Sequence, residues 1–222
     1  MNKVKVLLAI PRKKDNTNVT CESMQHRKCF KRVWSEPEER EKCLNELRTI
    51  AKCYPEYKWR IYETINWRDL RKTWYEYQKT ILDWQRSDPN GQMEWLDKVH
   101  SEWISAMMQP ESCASDGKLF MLDKDDKNDV DYFKSVLQGI GIKIKEQYET
   151  PGGVHFLVEP FNIIELQKEC IKINIIREIA NPSFVVNDKF INEALKNYGN
   201  IILKKVFNAE LHKDGLRFVE MI

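Results

Sequence analysis

Two apolar stretches, each closed by polar groups, constrain this chain more than anything else in it. KLFMLDKDDKND (118–129) carries Asp123, Asp125 and Asp126, and YETPGGVHFLVEPFN (148–162) carries Gly152, Gly153 and His155. Alternate side chains of a strand share one face. Asp123 and Asp125 therefore point the same way and Lys124 the other. Two carboxylates that close repel unless a cation lies between them, and their hard oxygens suit Mg²⁺ or Mn²⁺. The polar run continues to Asp129, so the same residues also read as a solvated strand end. In the second stretch the glycines permit a tight turn and close approach of backbone to a ligand. His155 then sits in an otherwise apolar strand, where a buried imidazole needs partners for its ring nitrogens. It reads as a satisfied structural histidine or, beside an acidic strand, as a phosphate contact or proton donor.

The rest of the chain alternates strand and helix patterns. VKVLLAI (4–10) is an unbroken apolar run and predicts a buried strand. The segment from Glu36 to Cys53 predicts a helix capped by Ser35, with Pro37 in its first turn. WRIYETI (59–65) alternates like a strand, and Asn66 is the expected cap of the helix that follows. SDPNG (87–91) predicts a turn, then QMEWLDKVHSEWISAMM a helix with Trp95, Val99, Trp103 and Met107 on one face. QPESCASDGK (109–118) is the expected internal boundary of what reads as a single α+β domain over 1–222. Beyond it come a strand at KLFMLDKDD, a helix at DVDYFKSVLQGIGI, and a hairpin of IKIKEQYET and VHFLVEPF about TPGG. Helices follow at IIELQKECIKI and INEALKNYGN, and ILKKVFNAELHKDGLRFVEMI reads as extended. The expected architecture is a mixed or antiparallel sheet with helices packed on one face and a helical N-terminal half.

Composition narrows the function classes. The chain has 222 residues, 42% of them hydrophobic and 32% charged, which excludes global disorder. No apolar run reaches the roughly 20 residues that cross a bilayer. The N-terminal MNKVKVLLAIPRKKDN reads as a first strand rather than a signal peptide, so a cytoplasmic protein is expected. Six cysteines occur without a CxxC pair. Their spacings fit no common zinc pattern, and reduced thiols are expected. Net charge is only +2, but Arg12, Lys13, Lys14, Arg27, Lys28, Lys31 and Arg32 form a local cluster able to contact phosphates. In RIYETINWRD, Arg60 and Tyr62 share a strand face, and Asn66, Arg68 and Arg71 fall where a helix N-terminus can meet phosphate oxygens. A capped helix with surface ion pairs accounts for them equally.

LDKDD followed by GGVHFLV resembles the first two motifs of the archaeo-eukaryotic primase (primase-polymerase) superfamily. The resemblance implies an RRM-like catalytic core, two-metal chemistry with Mg²⁺ or Mn²⁺, and nucleotides and nucleic acid as partners. It places Asp123 and Asp125 in the first-motif role and His155, after Gly152 and Gly153, at the phosphates of the incoming nucleotide. The third acid of that pattern falls on Glu210 in NAELHKDGLRF, with Asp188 as competitor. The chain is also similar to bacteriophage proteins that combine IPRKKDN (10–16), RIYETINWRD (60–69), LDKDD and TPGGVHFLVEPFN. That likeness implies a phage-encoded protein in an infected host cell. Metal-dependent nucleotidyl transfer is the leading expectation, with Asp123, Asp125 and Glu210 as metal ligands. His155, Gly152, Gly153, Arg60, Tyr62, Asn66, Arg68, Arg12 and Lys13 are expected around the substrate. A catalytically reduced factor that binds nucleotide or nucleic acid and counters host defence is the second expectation. The third is a non-enzymatic protein that contacts a host or phage partner.

Overall fold

The computed structural model describes residues 3–17, 29–88, 96, 98–179, 187–199 and 201–222. The chain is α+β with antiparallel sheets and divides into two compact units, residues 1–118 with 214–222 and residues 119–213.

The N-terminal unit is built on β1 (Lys3–Pro11), β2 (Phe30–Trp34), β3 (Trp59–Thr64) and the returning β9 (Leu216–Met221), in the order β2-β1-β3-β9. The short β4 (Arg68–Asp69) pairs with the start of β1. The unbroken apolar run of β1 follows from burial on both faces. Leu7 and Ala9 pack with Leu44, Leu47 and Ala51 of α1 (Pro37–Lys52). Val4, Val6 and Leu8 pack with Met107, Trp103 and Ile104 of α3 (Val99–Met107), beside Leu70 at the start of α2 (Leu70–Ser87). The N-terminal half is thus mixed rather than helical, because its helices need this sheet to bury their apolar stripes.

Two expected caps differ. At α1 the carboxylate of Glu39 accepts from the backbone N–H groups of Ser35 and Glu36 and from Ser35 Oγ, with Glu36 as the cap residue. At α2 the cap is Asp69, whose carboxylate accepts from the N–H groups of Arg71 and Lys72. Asn66 is instead buried and donates to Asp214 Oδ1 at 3.1 Å. The expected turn at 87–91 and the start of the expected helix from 92, Trp95 included, fall largely outside the described residues; the later part of that helix is α3.

The C-terminal unit runs β5 (Phe120–Lys124), α4 (Val130–Gly139), β6 (Ile144–Glu149), β7 (Val154–Val158), α5 (Ile163–Ile179), α6 (Asp188–Tyr198), α7 (Ile202–Phe207) and β8 (Ala209–His212). Its strands lie in the order β6-β7-β5-β8, every pair antiparallel. Leu122, Val154, Phe156, Val158 and Ala209 meet Phe133, Leu137, Leu166, Cys170 and Phe207 in one core, so the helices cover one face of this sheet. The hairpin about TPGG forms as the sequence predicts. ILKKVF, expected extended, is a helix, because Ile202, Leu203, Val206 and Phe207 reach the core together only at helical spacing.

Among the described residues Cys43, Cys113 and Cys170 are buried, and no cysteine is in a disulfide. Burial pushes the Cys113 thiol up to about 11 and the Cys170 thiol up to about 12, the signature of inert thiols. Cys21 lies outside the described residues. No helix among the described residues is long and apolar enough to cross a membrane.

Candidate functional site

Side chains on the face of the C-terminal sheet away from the helices include Asp123, His155 and Glu210. Their alternation with core residues fixes this. Leu122 packs beneath the helices, and Lys124 reaches the same side, donating to the Phe207 carbonyl at 2.9 Å and to Asp126 Oδ1 at 2.7 Å. Asp123, one step along β5, faces away. In the register Asp123 stands opposite His155 on β7 and opposite Glu210 on β8, and His155 stands opposite Tyr148 on β6. Tyr148, His155, Asp123 and Glu210 therefore form one row across four strands.

Within the row, His155 Nε2 lies 3.0 Å from Asp123 Oδ1. His155 is 7% exposed, and the Tyr148 ring meets its imidazole edge-on at 5.4 Å. His155 Nδ1 is buried and has no hydrogen-bond partner among the described residues. Burial pushes the Asp123 carboxyl up. The hydrogen bond from His155 and the charges of His155, His212 and Lys204 outweigh it and leave the group below the usual carboxylate range. Asp123 is an anion held in orientation by its neighbour.

Asp125 lies just past the end of β5, where its N–H donates to the Asn208 carbonyl at 3.0 Å. Its carboxylate pairs with the Lys204 ammonium of α7, which also lies 3.2 Å from Glu210 Oε1. Lys204 is accordingly held above its ordinary value, chiefly by Asp125, against the opposing cost of burial and with a further contribution from Glu210. Asp126 has a different part. Lys124, Asn208 Nδ2 and the Asn128 N–H all donate to it, which lowers its carboxyl and pins the turn that follows β5.

The glycine turn fits this arrangement through space rather than backbone conformation. Neither Gly152 nor Gly153 has a positive φ. A Cβ on Gly153 would lie 1.8 Å from the Lys124 carbonyl oxygen and 2.9 Å from Asp125 C and Asp126 N. The turn therefore packs directly on the backbone that presents Asp125. Gly153→Ala is expected to cost about 1–3 kcal/mol by overpacking, read as a lower melting temperature. Gly152→Ala in the exposed part of the turn should melt with the wild type.

Of the two candidates for a third acid, Glu210 is in the row. Asp188 is the exposed first residue of α6, where its charge complements the helix dipole. Sequence reasoning missed Lys204, His212 and Tyr148. Alternation in AELH puts His212 on the face of Glu210 and was readable; the reach of Lys204 to Asp125, 79 residues away, was not.

The remaining expected substrate contacts belong to the N-terminal unit, in two separate groups. Arg60 is 5% exposed and gives its Nε and Nη2 to the two oxygens of Asp15 at 2.6 and 2.5 Å. Arg12 Nη1 donates to the Tyr62 hydroxyl at 3.1 Å. Arg68 is 1% exposed, on Asp214 at 2.8 Å and Cys113 Sγ at 2.7 Å. Arg60 and Arg68 are thus matched by carboxylates of the chain. A guanidinium this deeply buried requires such a partner.

Asp123, Asp125 and Glu210 supply oxygen donors of the kind Mg²⁺ and Mn²⁺ prefer. The Lys204 ammonium joins two of them, Asp125 and Glu210. Among the described residues no group of three or more His, Cys, Asp and Glu side chains is arranged to hold a metal ion. No family model matches the chain, and neither does any curated protein or solved structure.

Proposed function

We propose that the C-terminal unit is a nucleotidyltransferase of primase-polymerase type, acting on nucleotides and nucleic acid. The observation that carries this reading is the row in which Asp123 stands opposite both His155 and Glu210, with Asp125 joined to Glu210 through Lys204. The strand order β6-β7-β5-β8, with its β-α-β-β start and its last strand after further helices, adds support. Such a four-stranded antiparallel arrangement is compatible with the split β-α-β-β-α-β unit, the RRM-like core that the motifs imply.

The carboxylates of Asp123, Asp125 and Glu210 would hold Mg²⁺ or Mn²⁺, which when bound activates a 3′-hydroxyl and stabilises the leaving pyrophosphate. The chain's own groups have definite parts. His155 Nε2 fixes the rotamer of Asp123. Lys204 neutralises Asp125 and Glu210 and, once displaced from them, presents an ammonium to phosphate oxygens. Gly153 lets the hairpin turn close on the strand end that carries Asp125.

The test is incorporation of a labelled nucleotide into primed and unprimed strands, with Mg²⁺, with Mn²⁺ and with chelator. Product that depends on metal is the expected result. Nucleotide binding by calorimetry without any product selects a second reading, a catalytically reduced nucleotide-binding protein. One observation favours that alternative: Lys204 already satisfies two of the three acids.

A further inference from the structure

The N-terminal unit holds a second feature. Arg12, Lys13 and Lys14 are exposed, and the last two open a short 3₁₀ turn (Lys13–Asp15) that follows β1. Consecutive exposed cations normally belong to a mobile loop, but this turn is tied down at three points. The Asn16 side chain, 5% exposed, donates to the carbonyls of Arg12 and Lys58 at 2.8 and 3.1 Å and accepts from the Lys58 N–H at 2.6 Å. It thereby stands in for a strand partner at the entrance to β3. Asp15 turns inward onto Arg60, and its carboxyl is lowered chiefly by that hydrogen bond. Arg12 is steadied by the Tyr62 hydroxyl.

The consequence is electrostatic. Asp15, the one acid of the turn, is bonded chiefly to a buried arginine and interacts more weakly with Lys14 and Arg12. Lys58, exposed and joined to Asn16 through its backbone, adds a fourth cation to Arg12, Lys13 and Lys14. Among the described residues no carboxylate forms an ion pair with Lys13, Lys14 or Lys58. The patch also has no exposed aromatic or aliphatic anchor within the turn. Protein–protein interfaces are depleted in lysine and built around such anchors, whereas phosphate contacts use lysine and arginine without them. A pre-fixed turn also loses less conformational freedom on binding than a loose one.

We infer that the turn Arg12–Lys14 with Lys58 is a docking surface for the phosphate backbone of a nucleic acid, independent of base sequence. The inference adds a holding surface to the proposed nucleotidyl transfer and rests on that reading only for the biological purpose. The experiment needs no metal and reads no chemistry, so the two fail separately. Fluorescence anisotropy of the full chain with a labelled mixed-sequence 20-mer, single- and double-stranded, is titrated over salt. Lys13→Gln/Lys14→Gln is expected to weaken single-strand binding by roughly 10- to 30-fold at 0.1 M salt and to flatten the slope of log affinity against log salt by about 1.4. Asn16→Ala, which loosens the turn without removing charge, is expected to weaken binding with the slope unchanged. An unaltered slope in the double variant overturns the assignment, as does wild-type protein that fails to bind the oligonucleotides. Equal wild-type affinity for polyglutamate or for phosphatidylserine vesicles overturns it in favour of an acidic protein or a lipid surface.

Discussion

Asp123→Asn is expected to fold as the wild type does and to lose nucleotide incorporation by about 10³-fold or more, the scale on which removing a charge from a catalytic centre is felt. The substitution is chosen because an amide oxygen at the same place still accepts from His155 Nε2, now 3.0 Å from the carboxylate. What disappears is the negative charge. Burial opposes that charge, and His155, His212 and Lys204 sustain it; a structure that maintains an anion against desolvation has a use for it. Asp126→Asn is the matched control. Asp126 belongs to the same LDKDD stretch, but Lys124, Asn208 and Asn128 hold it as the pin of a turn. Its loss is expected to lower the melting temperature while leaving activity, per folded molecule, within about threefold of wild type. The measurement is single-turnover incorporation normalised to folded protein by circular dichroism. Should Asp126→Asn be as inactive as Asp123→Asn, the row across the sheet is not where the chemistry happens.

What could be read in advance was whatever depends on near neighbours in sequence. The run at 4–10 announced a strand buried on both faces, and α1 and α3 cover those two faces. Alternation put Asp123 and Lys124 on opposite sides of β5, and Pro-Gly-Gly located the hairpin. Unreadable were the choices made by distant partners. Asn66 and Asp69 are both good caps. Asp214, some 148 residues along the chain, draws Asn66 inward and leaves the helix to Asp69. The pairing of Arg60 with Asp15, 45 residues away, is a choice of the same kind. ILKKVF is rich in β-branched and apolar residues, so its local preference is extended. Only the core formed with Leu166, Cys170 and Phe133 makes six residues of helix the better burial. At the site, the acids and the histidine were visible as types, whereas the Lys204 link between Asp125 and Glu210 is a tertiary fact.

Glu63→Gln is expected to destabilise the N-terminal unit by about 3–5 kcal/mol, the range for breaking a buried ion pair by removing one partner. Glu63 is fully buried near the end of β3. Arg40 of α1 donates to Oε1 at 2.7 Å, and Arg217, its register partner on β9, donates to Oε2 at 2.7 Å. One carboxylate thus ties the helix to the sheet and the last strand to the third. The Arg40 and Arg217 side chains are about a quarter exposed, at 26% and 28%, so water can partly rehydrate them and the lower end of the range applies. For a chain of this length that is a fall in melting temperature of about 10 °C. Arg40→Met removes one donor but leaves Glu63 hydrogen-bonded to Arg217, and the loss should be about 1 kcal/mol. Arg217→Met also strips a β9 cross-strand contact and should be costlier. A double-mutant cycle on Glu63 and Arg217 separates their coupling from the burial of either side chain. If Glu63→Gln melts within about 2 °C of wild type, the carboxylate is not what holds β9 and α1 to this sheet, and apolar packing around Leu47 and Trp59 carries the unit alone.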